Sequence, residues 1–409
     1  MRTGKVGVGY NNGLDAFQGG VEAAREAMVS GGIETASLVL AFTSKDNEPE
    51  AVFNGIRSVV GKGVPVVGGA ASGIITLDDL SYSGNPVGVA IFDKTFLSAT
   101  VACESDIQHD LVGAGSRLGE RLSTAVDQVM FLFFDCLERE ATEDKPPSLH
   151  PAQFILRGLY STLSPSIPIY GAGMLGDLRL NSSFIFGGDE VGKQKMVGTT
   201  VRGPFTVLGT INHGSMHLDG VYHRITRQQG PVLMELDGRP IVEVIDEAYG
   251  SRSWRKEIPV RALSIGINQG LRFAPFEEDA YVNRLIVGPL PDEQGILLFE
   301  EGPQEGDDIQ FLQRDPLKMM ESTRSGSQAL LEKILSEGKH PVFALYIDCG
   351  GRTAAISLTK TEEASIVQEV MQQAGVLLLG FYSGVEIAPI RGLSRSLDWT
   401  GVLIIFAEG

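Results

Sequence analysis

The chain has 409 residues, 43% of them hydrophobic, and a formal charge of −17 from 34 basic and 51 acidic side chains. That length exceeds one ordinary core and predicts two domains. A field of that sign repels phosphate backbones and anionic lipid, which argues against nucleic acid or a membrane as the main partner.

In chain order, Lys5–Tyr10 reads as a first strand and Asp15–Val29 as an amphipathic helix, with Phe17, Val21, Ala24 and Met28 at helical spacing. Ser37–Phe42 is a continuous apolar strand, Pro49–Val60 a helix, and Pro65–Gly73 a strand closing on glycines. Pro86–Phe92 and Phe96–Cys103 read as strands, Asp110–Ala125 as a helix, and Gln128–Asp135 as a buried strand. Glu138–His150 is charged and proline-containing, hence a loop, and Pro151–Leu163 is a helix with proline in its first turn. Ser183–Phe186, Lys195–Arg202 and Phe205–Thr210 look like a meander of short strands. Turn residues crowd Asn212–His223, which places a domain boundary there, between residues 1–220 and 221–409. Beyond it come Arg224–Glu235, a turn at Asp237-Gly238, a short helix Ile241–Ala248, and strands Arg261–Ile267, Ala280–Val287, Gly295–Glu300 and Gly306–Leu312. A long helix, Asp315–Glu337, leads to strand Val342–Asp348, helix Glu362–Ala374, the stretch Leu377–Pro389 and strand Gly401–Phe406. The pattern predicts an α/β fold: two domains of mostly buried mixed β-sheets flanked by helices.

One order of events recurs three times: apolar strand, helix, strand closing on glycine, later strand. Aligning Pro65, Pro168 and Leu377 brings Gly68, Gly171 and Gly380 into register, with Ile74, Asp177 and Glu386 following. Glycine turns at equivalent sheet edges would leave room for a ligand. An exposed Tyr382 and the carboxylate Glu386 would line that space, joined by Cys349 and Arg352 from Asp348-Cys-Gly-Gly-Arg352 at the end of a buried strand. The candidate ligand-binding residues are therefore Gly68, Ser72, Gly171, Asp177, Cys349, Arg352, Gly380, Tyr382 and Glu386.

Other chemistry has weaker support. Arg352 could lower the Cys349 pKa and make it a nucleophile, but no histidine stands in a partnering motif, so the expectation is no enzyme. Glu386 could equally pair with Arg284 or Arg352. His213, His217 and His223 share one stretch without completing a metal set, yet any of them could serve as a single axial haem ligand. Gly7-Val-Gly9 is not a full GxGxxG, and no Walker A loop occurs. Cys103, Cys136 and Cys349 form no CxxC pair, there is no signal-peptide apolar region, and no apolar run nears the ~20 residues that span a bilayer, so a cytoplasmic protein is expected.

The chain resembles FIST-domain proteins, with FIST-N and FIST-C parts. The resemblance rests on Val6-Gly-Val-Gly9 with the Asp15–Val29 helix, Ser37–Phe42, Pro65–Gly73, Leu236–Glu243, Glu305–Asp315, Cys349-Gly-Gly-Arg352 and, most specifically, Gly380-Phe-Tyr-Ser-Gly-Val-Glu-Ile-Ala-Pro389. It implies a sensory module for small ligands, amino acids or their derivatives, without catalytic turnover. Some relatives bind haem, sense nitric oxide and pass their state to a histidine kinase, so haem and a Cys349-dependent activity are the alternatives. Any output here is expected on a separate signalling partner. One departure is Leu397-Asp-Trp-Thr400, where the resemblance leads one to expect Asn before the Thr.

Overall fold

The computed structural model describes residues 5–122, 129–141 and 147–409. Met1–Gly4, the end of the helix expected over Asp110–Ala125, Gln128 and the centre of the Glu138–His150 loop lie outside the described residues.

Three six-stranded sheets share one internal pattern. In the first, Ala36–Thr43 runs parallel to Val66–Ala70 and antiparallel to Val87–Asp93. In the second, Val129–Asp135 runs parallel to Ile169–Met174 and antiparallel to Lys195–Arg202. In the third, His340–Cys349 runs parallel to Leu377–Ser383 and antiparallel to Gly401–Glu408. These central strands are near-continuous apolar runs because both faces are covered.

The inner faces meet in one aromatic core. Phe42 stacks on Phe381 with centroids 3.9 Å apart and meets the edge of Phe133 at 5.4 Å, while Phe92 packs against Phe343 and Phe406. Each fully buried phenylalanine removes enough apolar surface for about 1.5–3 kcal/mol. Helix pairs cover the outer faces: Ala16–Ser30 with Pro49–Val60, Leu111–Leu122 with Ala152–Tyr160, and Pro316–Ser336 with Ala364–Ala374. Asp15 caps the first helix by accepting from the Gln18 amide, and Asp315 caps the longest from Leu317 and Lys318.

Two of these sheets borrow strands from the other half of the chain. The hairpin Ile74–Thr76 and Leu80–Ser81 extends the third sheet beside Leu377–Ser383. Val385–Ile390 and Leu393–Leu397 extend the second sheet beside Ile169–Met174. The fourth sheet closes on itself. His223–Gln229, Val232–Leu236, Ile296–Leu298, Tyr281–Pro289, Leu263–Asn268 and Asp308–Arg314 pair antiparallel in a ring, with helix Ile241–Tyr249 packed on its core. Among the described residues, no helix is long and apolar enough to cross a membrane.

Several expectations change. Lys195–Arg202 and Thr206–Asn212 do not form a meander: the first pairs in the second sheet, the other with Gly401–Glu408 in the third. Short strands Leu137–Arg139 and Ser148–Leu149 flank the expected loop. Gly68, Gly171 and Gly380 are not turns. They sit inside strands, directly across from Ala41, Leu132 and Tyr346. At Gly68 and Gly171 a side chain would collide with the carbonyl of the facing residue, so the glycines permit close strand approach. The chain changes sheet at Gly384, between Leu377–Ser383 and Val385–Ile390.

Candidate functional site

The sequence-derived residues are gathered mainly in the interior. Tyr382, expected to be exposed, is fully buried because Leu377–Ser383 lies between the third sheet's helices and the common core. Its hydroxyl donates to Glu362 at 3.2 Å, and Tyr82 donates to the same carboxylate. Arg352 is buried with Asp348 at 3.2 Å and Glu363 closer still, and Nη1 donates 2.7 Å to the Trp399 carbonyl. Burial works against the Arg352 charge, but Glu363 and Asp348 outweigh it and keep the guanidinium protonated.

Glu386 pairs with neither Arg284 nor Arg352. Ser383 donates to its Oε1 at 2.6 Å, Oε2 meets no donor among the described residues, and burial pushes its pKa well up. The alternative in which Arg352 lowers the Cys349 pKa gains no support: burial, with Glu386 nearby, drives the thiol pKa well above its ordinary value. Ser72 donates to the Leu175 carbonyl at 2.8 Å, and Asp177 accepts from the Arg179 and Asn181 amides. None of the nine residues lines the cavities described here.

The histidines hold structural bonds. His213 bonds through Nε2 to the Glu278 carbonyl at 2.9 Å, His217 to the Tyr281 hydroxyl at 2.7 Å, and His223 to Asp237 at 2.7 Å. Among the described residues, no three His, Cys, Asp or Glu side chains are placed to hold a metal ion.

The principal cavity, about 820 Å³, opens where the ring of antiparallel strands meets the second sheet and its helix. That volume suits a small-molecule ligand, for which pockets run ~300–1,000 Å³. Gln153, Leu156, Arg157 and Tyr160 form one wall, spaced as a single face of helix Ala152–Tyr160. Val282 and Arg284 contribute from Tyr281–Pro289, and Arg395 from the borrowed strand Leu393–Leu397. Glu300 joins the two parts by accepting a hydrogen bond from the Ala152 amide at the start of the helix.

Four arginines, Arg157, Arg272, Arg284 and Arg395, line this cavity in a chain whose net charge is −17. Arg272 is taken up by Asp308 and lies 4.3 Å over the Tyr222 ring, and Arg157 lies 5.1 Å over Phe154. Arg284, only 3% exposed, meets Glu300 at 3.3 Å and donates to Ser396 at 2.8 Å. Half-buried Arg395 differs in making no ion pair among the described residues; its Nε, like that of Arg284, meets no acceptor there, and burial together with Arg284 lowers its pKa. Behind this wall, burial raises Glu300 to about 7, partly opposed by Arg284, and also raises Asp398. The cavity thus offers guanidinium groups to an anion, with Asp307, Gln304 and Asn268 as further polar groups on its walls.

Sequence reasoning named Arg284 only as a partner for Glu386 and missed Arg395, Arg157 and Tyr160. The spacing of Gln153, Leu156, Arg157 and Tyr160 was the available signal. An arginine on the inward stripe of a helix, with no acid three or four residues away, points to a partner from outside the helix.

A layered α/β chain with a ligand-sized, cation-lined cavity is the class that these features define. Family models match the chain as the FIST N domain over residues 37–239 and the FIST C domain over residues 242–389. The chain belongs to the FIST family, whose domains are associated with sensory signal transduction. It is similar to the uncharacterized protein Rv0628c of Mycobacterium tuberculosis, 22% identical over 408 residues covering 99% of this chain and 100% of that protein. The uncharacterized protein Mb0898c of Mycobacterium bovis is 23% identical over 410 residues, covering 99% of each. Among solved structures, PurLQS from Thermotoga maritima aligns with a TM-score of 0.24 and 9% identity over 99% of this chain and 72% of that one. T. maritima PurL complexed with ADP aligns with a TM-score of 0.23 and 8% identity over 98% and 71%. Scores of that size support no conclusion about this chain.

Proposed function

We propose that this protein is a small-ligand sensor that binds an anionic, amino-acid-like molecule in the arginine-lined cavity and passes its occupancy to a separate signalling partner. The observation that carries this reading is Arg395, half-buried on the cavity wall with no ion-pair partner, and no acceptor for its Nε, among the described residues. A withdrawn cation without a counter-charge is costly, and a ligand carboxylate would supply one. Asp307 on the same wall suits the ligand's ammonium group.

The cavity is walled by Gln153–Tyr160 from the FIST N segment and by Ile267–Asp308 from the FIST C segment. A ligand touching both favours whichever arrangement of the two fits it better, which is the physical requirement for signalling by occupancy. A thermal-shift and calorimetric screen of amino acids and small dicarboxylates tests the reading. We expect at least one anionic compound to raise the melting temperature, and Arg395→Gln to weaken its binding about tenfold, or ~1.4 kcal/mol. Absence of any stabilising anion, or unchanged affinity in Arg395→Gln, would overturn it.

A further inference from the structure

A second cavity, of about 190 Å³, lies at the start of helix Pro316–Ser336 and shares no lining residue with the first. Ala262, Pro316, Met319 and Leu358 give it an apolar wall, and Arg314 faces it from the end of strand Asp308–Arg314. Arg314 is 8% exposed. Its Nη1 donates 2.8 Å to the Arg261 carbonyl, its Nε meets no acceptor among the described residues, and its guanidinium lies 3.6 Å over the Trp399 ring. Burial, with Arg352 nearby, lowers its pKa to about 9, so it remains protonated at neutral pH.

The other charged groups on this wall are engaged elsewhere. Glu257 accepts from the Arg261 amide at 2.9 Å and faces the Arg261 side chain at 4.0 Å. Asp315 accepts from the Leu317 and Lys318 amides at 2.7 and 3.2 Å, capping the helix. His213 gives Nε2 to the Glu278 carbonyl and accepts the Ser215 amide on Nδ1 at 3.0 Å, and burial keeps it neutral. Arg352, by contrast, has two carboxylates of its own.

We infer that this cavity is a binding site for a small organic monoanion, a carboxylate with a short apolar tail, whose head pairs with Arg314 and whose tail packs on Met319 and Leu358. The charge requires an anion. The apolar wall favours a hydrocarbon tail over a bare inorganic ion, and the small volume excludes a nucleotide.

Trp399 reports on the site because its ring lies against the guanidinium; the chain's other tryptophan, Trp254, is buried in the core of the closed ring. The full chain is titrated with hexanoate, and with hexylammonium as the matched cation, while tryptophan emission is followed. The expected result is a saturable change with hexanoate alone, with a Kd of ~1 mM or tighter. Arg314→Gln should weaken it at least about tenfold. Because that variant removes a buried packing group, Ala262→Leu, which keeps Arg314 and fills the cavity, should weaken it as well. No saturable change, an equal response to hexylammonium, or a response that survives in both variants would overturn the site.

Discussion

Arg352 and Arg395 are both withdrawn from water, and the fold answers them in opposite ways. Arg352 lies between Asp348 and Glu363, with the carbonyl oxygens of His213 and Trp399 accepting from its Nη1. Arg395 stands on a cavity wall beside another cation, Arg284, and makes no ion pair among the described residues. A charge neutralised from within holds the fold together; a charge left open on a wall is available to a guest.

The contrast breaks most sharply at Arg352. Arg352→Ala leaves Asp348 and Glu363 buried without their cation and should cost about 3–5 kcal/mol, read as a lower urea midpoint. If it costs less than ~1 kcal/mol, the buried network is not structural. Arg395→Gln should leave stability within ~0.5 kcal/mol while reducing ligand affinity, separating the two roles in one pair of variants.

Glu300 sharpens the comparison further, because it touches both the helix start and Arg284. Its native pKa of about 7 lies above the ordinary 4.5, so the folded state keeps a proton that the unfolded chain releases. This group's contribution to stability is full below about pH 4.5 and is lost as pH rises to about 7. Glu300→Gln should therefore flatten the fall in melting temperature between those two pH values, and an unchanged slope would remove Glu300 as its source. The smallest effect is expected at Tyr82, an exposed donor to Glu362. Tyr82→Phe should change stability by no more than ~1 kcal/mol in chemical denaturation, since water replaces the lost bond.

The three α/β sheets were legible because their strands are unbroken apolar runs, such as Met130–Phe134 and Leu403–Phe406, and their helices begin at Pro49, Pro151 and Asp315. The closed ring was not. Four of its strands were read, although Asn283, Arg284 and Gln310 are buried in them, but nothing local reveals that Leu263–Asn268 meets Asp308–Arg314. Cys349, Arg352, Tyr382 and Glu386, expected to wall a pocket, are buried, and none of them lines the cavities described. The partner that closes Arg352, Glu363, lies on a helix whose docking the sequence does not display. Arg395 went unnoticed for the converse reason, since a missing acceptor is a property of the assembled fold.

Trp399 takes φ +55, a left-handed backbone setting that Asn adopts far more readily than a bulky aromatic residue. Where the resemblance leads one to expect Asn before the Thr, an indole occupies this corner of the chain. The strain costs about 1–3 kcal/mol, held down by Arg314 on the ring and by Arg352 on the carbonyl. The corner therefore stands between the two cavities, since Ser396 upstream lines one and Arg314 over the indole lines the other. One residue thus combines a disfavoured backbone setting with the surface on which Arg314 rests.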